Sequence, residues 1–156
     1  MIKAVIIDDE KQARNALAEE LGLLNADILI AGEAGFIKEA VQLIDDLKPD
    51  LVLLDIHLGD GSGFQVLEQT KFKNYQTVFI TAYNEYAIQA FKTNAVDYIL
   101  KPVDANELNK AVQKAIRTKQ LRETAKSDSK LDVLLTRKRI SFQTTEGISH
   151  KLFSEQ

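Results

Sequence analysis

The sequence predicts a doubly wound α/β domain, a five-stranded parallel sheet with helices on both faces. Three observations lead there. Five short runs rich in Val, Ile and Leu recur over the first hundred residues, several of them apolar without alternation, as strands covered on both faces are. Segments of helical period separate these runs, so strand and helix alternate five times. Finally, a chain of 156 residues that is 45% hydrophobic and holds two prolines can bury ~70% of its unfolded surface, enough for one domain with an appendage.

The first strand covers Lys3–Ile7, and the helix after it carries Ala13, Ala16, Leu17 and Leu21 on one face. The second strand is Ile28–Ala31. Its following helix presents Ile37, Ala40, Val41, Ile44 and Leu47 and stops before Pro49. The third strand, Leu51–Leu54, leads through Gly59-Asp60-Gly61-Ser62-Gly63 to a helix holding Phe64 and Leu67. Thr77–Ile80 is the fourth strand, with Ala87, Ile88 and Phe91 marking the fourth helix. Val96–Leu100 is the fifth. The fifth helix carries Leu108, Ala111, Val112, Ala115 and Ile116 and is opened by Asp104 as N-cap, with Glu107 three residues later in a capping-box pattern. Right-handed crossovers distribute the helices over both faces.

Charge divides the chain. Residues 1–116 hold 11 Lys and Arg against 18 Asp and Glu, a net −7, whereas residues 117–156 hold 9 against 5, a net +4. An acidic body repels nucleic acid. The basic tail is interrupted by Glu123, Asp128 and Asp132, as in a solvated helix or linker. We expect a domain over 1–120 and a helical extension and linker over 121–138. The alternating Arg139–Thr144, a turn at Thr145-Glu146-Gly147 and a returning strand Ile148–Phe153 then begin a second domain over 139–156. One hairpin alone buries too little to be stable, so the chain reads as a truncated product. Zero cysteines exclude disulfide scaffolds and thiolate chemistry. No apolar run approaches the ~18 residues of a membrane helix, and Met1-Ile2-Lys3 shows no signal-peptide pattern. A cytoplasmic protein is expected.

In an open α/β sheet, ligands bind beyond the carboxyl ends of the strands, where strand order reverses. An order of 2-1-3-4-5 makes strands one and three the switch point. Strand one ends in Asp8-Asp9-Glu10, strand three in Asp55, strand four in Thr81-Ala82 and strand five in Lys101-Pro102. Singly, each has a plainer reading: Asp8 and Asp9 as a helix N-cap and its neighbour, Asp55 as a turn residue, Lys101-Pro102 as a strand terminator. Together at successive strand ends they make a site. Crowded carboxylates repel and call for a cation, and an oxygen-only set suits Mg²⁺. A carboxylate beside Mg²⁺ can attack phosphorus, which makes Asp55 a candidate phosphoacceptor. Lys101 would neutralise the transferring group and Thr81 would offer it a hydroxyl, while Ala82 leaves it room. The carbonyl of His57 could reach the metal, with its imidazole a solvent-facing bystander. His150 receives no role.

These segments resemble the receiver domain of two-component response regulators. Val5-Ile6-Ile7-Asp8-Asp9-Glu10, Leu53-Leu54-Asp55-Ile56-His57-Leu58, Phe79-Ile80-Thr81-Ala82-Tyr83 and Asp97-Tyr98-Ile99-Leu100-Lys101-Pro102 carry the likeness, over roughly residues 1–120. The resemblance implies a flavodoxin-like fold. It also implies phosphorylation of Asp55 by a sensor histidine kinase, with Mg²⁺ held by Asp9, Asp55 and the His57 carbonyl and by Asp8 through water. Lys101 would ion-pair with the phosphoryl group, its bond to Pro102 would be cis, and Thr81 and Tyr98 would form a switch pair. It further implies a phosphorylation-dependent homodimer through the fourth helix, fifth strand and fifth helix. Catalysis would be limited to autophosphorylation from phosphodonors and autodephosphorylation. Gly59 stands where many members carry proline.

The stretch Tyr83–Ala87 through Ala95–Tyr98, and the tail Arg139–Phe142 through Glu146–Ile148, are similar to regulators with a LytTR-type (LytR/AlgR-like) DNA-binding domain. Contact with DNA would belong to that missing C-terminal domain, and output would be transcriptional. Two other functions fit less well. A haloacid-dehalogenase-like phosphohydrolase also uses Asp, Thr, Lys and Mg²⁺, but places its acids as Asp-x-Asp, whereas His57 stands two residues after Asp55. A receiver serving only as a phosphorylation-independent interaction module would not need the complete set of acids, Thr and Lys.

Overall fold

Within the first strand, Ile2–Ile7 (β1), side chains divide between two apolar cores. Ile2, Ala4 and Ile6 enter one, and Val5 and Ile7 the other. This two-sided burial explains the unbroken apolar run. The structure is a computed structural model that describes residues 1–24 and 27–142, with the side chains of 129–133 and 136–142 excepted. The elements after β1 are α1 (Lys11–Leu23), β2 (Ile28–Ala34), α2 (Ile37–Leu47), β3 (Leu51–Leu54), β4 (His57–Leu58) and β5 (Gly61–Ser62). Then come α3 (Gly63–Gln69), β6 (Gln76–Thr81), α4 (Ala87–Lys92), β7 (Asp97–Leu100) and α5 (Ala105–Phe142).

The main sheet has the order β2-β1-β3-β6-β7, with all four pairings parallel. This is the expected 2-1-3-4-5 arrangement. β6 and β7 are its fourth and fifth strands because the antiparallel pair β4–β5, which the sequence pattern did not indicate, lies between. Leu17 and Leu21 of α1 and Leu108, Ala111, Val112 and Ala115 of α5 cover one face. Helices α2, α3 and α4 cover the other through Ile37, Ala40, Ile44, Phe64, Val66 and Ala90. Lys48, at φ 48°, ends α2 in a left-handed conformation ahead of Pro49. The Asp104 carboxylate accepts from the Glu107 backbone N–H at 3.0 Å, capping α5 as expected.

Two helices leave apolar residues of their marked stretches exposed, and the start of one expected strand is helical instead. Ala16 is exposed and lines a cleft of about 270 Å³ with Ala13, Leu17, Ile80, Pro102 and Val103. Ile88 and Phe91 point outward, 74% and 58% exposed, and the residue that α4 buries is Ala90. Ala90 joins Phe64 and Phe79 in the buried core, with Tyr86 and Tyr98 packed against that cluster. Lastly, α5 continues through residues 139–142, where alternation suggested a strand. A strand requires a partner for its backbone groups; a helix satisfies them internally. The turn and returning strand expected over 145–153 lie outside the described residues.

Met1–Arg117 is one compact unit and Thr118–Gln156 a second. In the second, the described part is helical, with Leu121, Leu134 and Leu135 exposed and a Lys119–Glu123 pair at 3.9 Å one turn apart. Among the described residues, no helix is long and apolar enough to cross a membrane.

Candidate functional site

The carboxyl ends of β1 and β3 lie side by side because those strands pair in register, Ile7 opposite Leu54. The residues that follow, Asp8 and Asp55, are therefore neighbours. The Asp55 backbone N–H donates to the Ile7 carbonyl at 2.9 Å, which fixes that relation. One carboxylate oxygen from each of Asp8, Asp9 and Asp55 lies within 4.8 Å of the others. Asp8 and Asp55 are buried and Asp9 is exposed, so the cluster opens to solvent on one side.

Lys101, at the end of β7, spans the two buried acids. Its Nζ donates to Asp8 Oδ2 at 2.7 Å and to Asp55 Oδ2 at 3.0 Å. The remaining Asp8 oxygen, Oδ1, accepts from the Glu10 backbone N–H at 2.9 Å. Asp8 is thus no N-cap of α1, which begins after Glu10 without a side-chain cap. Burial raises the pKa of Asp55, and the Lys101 ammonium and the Thr81 hydroxyl pull it back only in part. Burial would lower the pKa of Lys101, but its hydrogen bonds to Asp8 and Asp55 prevail and raise it. The ammonium is therefore held charged between two acids.

Thr81, fully buried at the end of β6, accepts from the Tyr83 N–H at 3.4 Å. Tyr98, on β7, donates its hydroxyl to the Tyr83 carbonyl. Thr81 and Tyr98 therefore meet on one loop, that after β6. The Lys101-Pro102 peptide is cis, as the resemblance implies. His57 donates its backbone N–H toward Asp55 Oδ1 at 3.4 Å. Its imidazole is exposed, as expected, and the ring lies 4.2 Å from that of Tyr83 and 5.3 Å from that of Tyr86.

Sequence reasoning missed several contributors. Tyr86 completes this aromatic group. Gly63, at the start of α3, packs so closely on β3 that a Cβ there would lie 2.2 Å from the Asp55 carbonyl oxygen. Arg14, on α1, donates to the Asp8 carbonyl at 2.7 Å. Neither close backbone approach nor a carbonyl partner leaves a periodic signal in a sequence.

The donor set suits a divalent cation that prefers oxygen. The three converging carboxylates, two of them buried, with neither sulfur nor imidazole among the ligating groups, fit Mg²⁺.

Comparison with known proteins agrees with this geometry. The family profile described as response regulator receiver domain matches residues 4–113. The chain is 44% identical over 118 residues to an uncharacterized response regulatory protein of Vibrio cholerae, covering 75% of this chain and 49% of that protein. It is 36% identical over 151 residues to the sensory transduction protein LytT of Bacillus cereus, covering 95% of this chain and 61% of LytT. The chain thus spans half to three-fifths of the length of these curated relatives. Among solved structures, the response regulatory domain of protein mrkE from Klebsiella pneumoniae superposes with a TM-score of 0.67 at 28% identity, covering 75% of this chain and 97% of that one. A profile matched over most of the sequence, and a sheet that superposes on a solved domain of the same kind, agree on one assignment: the chain belongs to the response regulator receiver family of two-component systems.

Proposed function

We propose that the domain accepts a phosphoryl group on Asp55 from the phosphohistidine of a sensor histidine kinase, and that this event controls a transcriptional output. The observation that carries the reading is the convergence of Asp8, Asp9 and Asp55 within 4.8 Å, with Lys101 bonded to both buried acids.

Asp8, Asp9, Asp55 and the His57 carbonyl would hold Mg²⁺, which when bound neutralises phosphoryl oxygens and offsets the mutual repulsion of the acids. A carboxylate oxygen of Asp55 forms the new bond to phosphorus as the bond to the donor imidazole nitrogen breaks, and that nitrogen keeps the electron pair. Lys101 follows the developing charge, exchanging a carboxylate contact for a phosphoryl oxygen. Thr81 donates its hydroxyl to another phosphoryl oxygen. Drawn inward, it pulls the loop whose Tyr83 carbonyl binds Tyr98, and the change reaches the surface of α4, β7 and α5.

Two observations support the later steps. Ile88, Phe91 and Leu100 are exposed apolar residues on α4 and β7, a surface suited to a second copy of the chain. The match to LytT extends over 95% of this chain, which supports a LytTR-type DNA-binding output from residues beyond the receiver. Catalysis by the domain itself would be confined to taking phosphoryl groups from donors and losing them to water, within the cytoplasm.

Treatment with acetyl phosphate and Mg²⁺, followed by mass spectrometry, tests the phosphoacceptor. A single labile adduct is expected on the wild-type chain and none on Asp55→Asn. An adduct that persists in the variant would move the phosphoacceptor elsewhere.

A further inference from the structure

We propose that Arg14 is a positioning residue of the acidic site: its guanidinium grips the backbone of the Asp8-Asp9 turn and so sets the affinity of the cluster for Mg²⁺. The inference rests on the reading of Asp8, Asp9 and Asp55 as ligands given above.

Three carboxylates within 4.8 Å repel one another, so the turn carrying two of them must be held against that repulsion. The Asp8 side chain is committed to Lys101 and to the Glu10 N–H. Its backbone N–H donates to the Ala34 carbonyl at 3.0 Å. Its backbone carbonyl is taken by Arg14 Nη1 at 2.7 Å, while Arg14 Nε donates to Glu33 Oε1 at 3.1 Å. One planar group thus ties the end of β1 to β2 from a position in the first turn of α1. The berth is shaped for it. A Cβ on Gly35 would lie 3.2 Å from Arg14 Nη1 and 3.5 Å from the Asp8 carbonyl oxygen, and the arginine side chain is only 18% exposed.

Position and charge predict opposite signs. A bare cation near a metal site repels the metal, so if charge governed, removing Arg14 would tighten Mg²⁺ binding. Glu33 offsets that charge, and the fork donates from two nitrogens held at a fixed planar spacing, which the single nitrogen of lysine cannot reproduce. Groups that orient metal ligands from behind typically change affinity by 10–100-fold when removed.

Calorimetric titration of the 156-residue chain with MgCl₂, paired with thermal unfolding in Mg²⁺-free buffer, provides the test. Arg14→Ala should raise the Mg²⁺ dissociation constant about tenfold, while labelling by acetyl phosphate at saturating Mg²⁺ returns to the wild-type extent. Arg14→Lys keeps the charge and most of the packing and should show the same direction of change. It carries the test should the alanine variant fold poorly. Unchanged or tighter binding in either variant overturns the proposal. Failure of the wild-type chain to bind Mg²⁺ is a different result: it removes the reading of the acidic cluster, and this inference with it.

Discussion

Asp55 is placed where a carboxylate is uncomfortable without a partner. Burial disfavours its charged form, and Lys101 and Thr81 only partly compensate, so its pKa is raised in the folded chain. The sign of the consequence follows from proton counting. Between the ordinary aspartate value and the raised one, the folded state holds more protons than the unfolded state, so stability falls as pH increases. Asp55→Asn removes that dependence. In Mg²⁺-free buffer, urea unfolding across this pH range should show the wild type losing stability relative to the variant as pH rises. Parallel curves would mean that the site relieves Asp55 by some route other than protonation. The same strain is useful to the proposed chemistry, because an acid poorly satisfied by its surroundings is one that gains by binding a cation or a phosphoryl group.

At the scale of elements, the start of α3 is the tightest fit around the site. A Cβ on Gly63 would lie 2.2 Å from the Asp55 carbonyl oxygen and 3.1 Å from Leu54 Cγ, Leu54 being the buried last residue of β3 and Asp55 the one after it. Gly63→Ala must push the helix away and break the bond from the Gly63 N–H to the Ile56 carbonyl, now 2.7 Å. Destabilisation of about 1–3 kcal/mol is expected, by analogy with overpacked cores, and urea unfolding measures it; a neutral substitution would show that the helix start yields freely. Nothing in the sequence marks this contact, since a glycine at a close approach looks like any glycine in a loop. The strands were legible because sheets covered on both faces need unbroken Val, Ile and Leu. Asp8, Asp9, Asp55, Thr81 and Lys101 were legible because strand order determines which strand ends meet. The outward turn of Ile88 and Phe91 was not, because the three-residue spacing of an apolar pair is the same whichever way its face points, and a helix of six residues is too short to decide.

For the molecule as a whole, that outward face becomes informative. Ile88, Phe91 and Leu100 are 74%, 58% and 42% exposed, and the residue that α4 buries is the small Ala90. Large apolar side chains left in water without a core to join are characteristic of surfaces that meet a partner. The link to the acidic site is short: Thr81 and Tyr98 converge on Tyr83, in the loop that enters α4. A phosphoryl group can shift this surface only as far as it favours one arrangement of that loop over another. Beryllofluoride, a stable mimic of the phosphoryl group, should therefore convert the chain from monomer to dimer in sedimentation. The double substitution Ile88→Asp and Phe91→Asp should leave it monomeric while Asp55 still takes up phosphate from acetyl phosphate. Dimers that survive the double substitution would place the pairing surface elsewhere. The adduct is expected to survive because the two substituted residues lie on the outer face of α4, whereas Asp55 is buried at the end of β3; its loss would show that α4 and the phosphoacceptor cannot be altered independently.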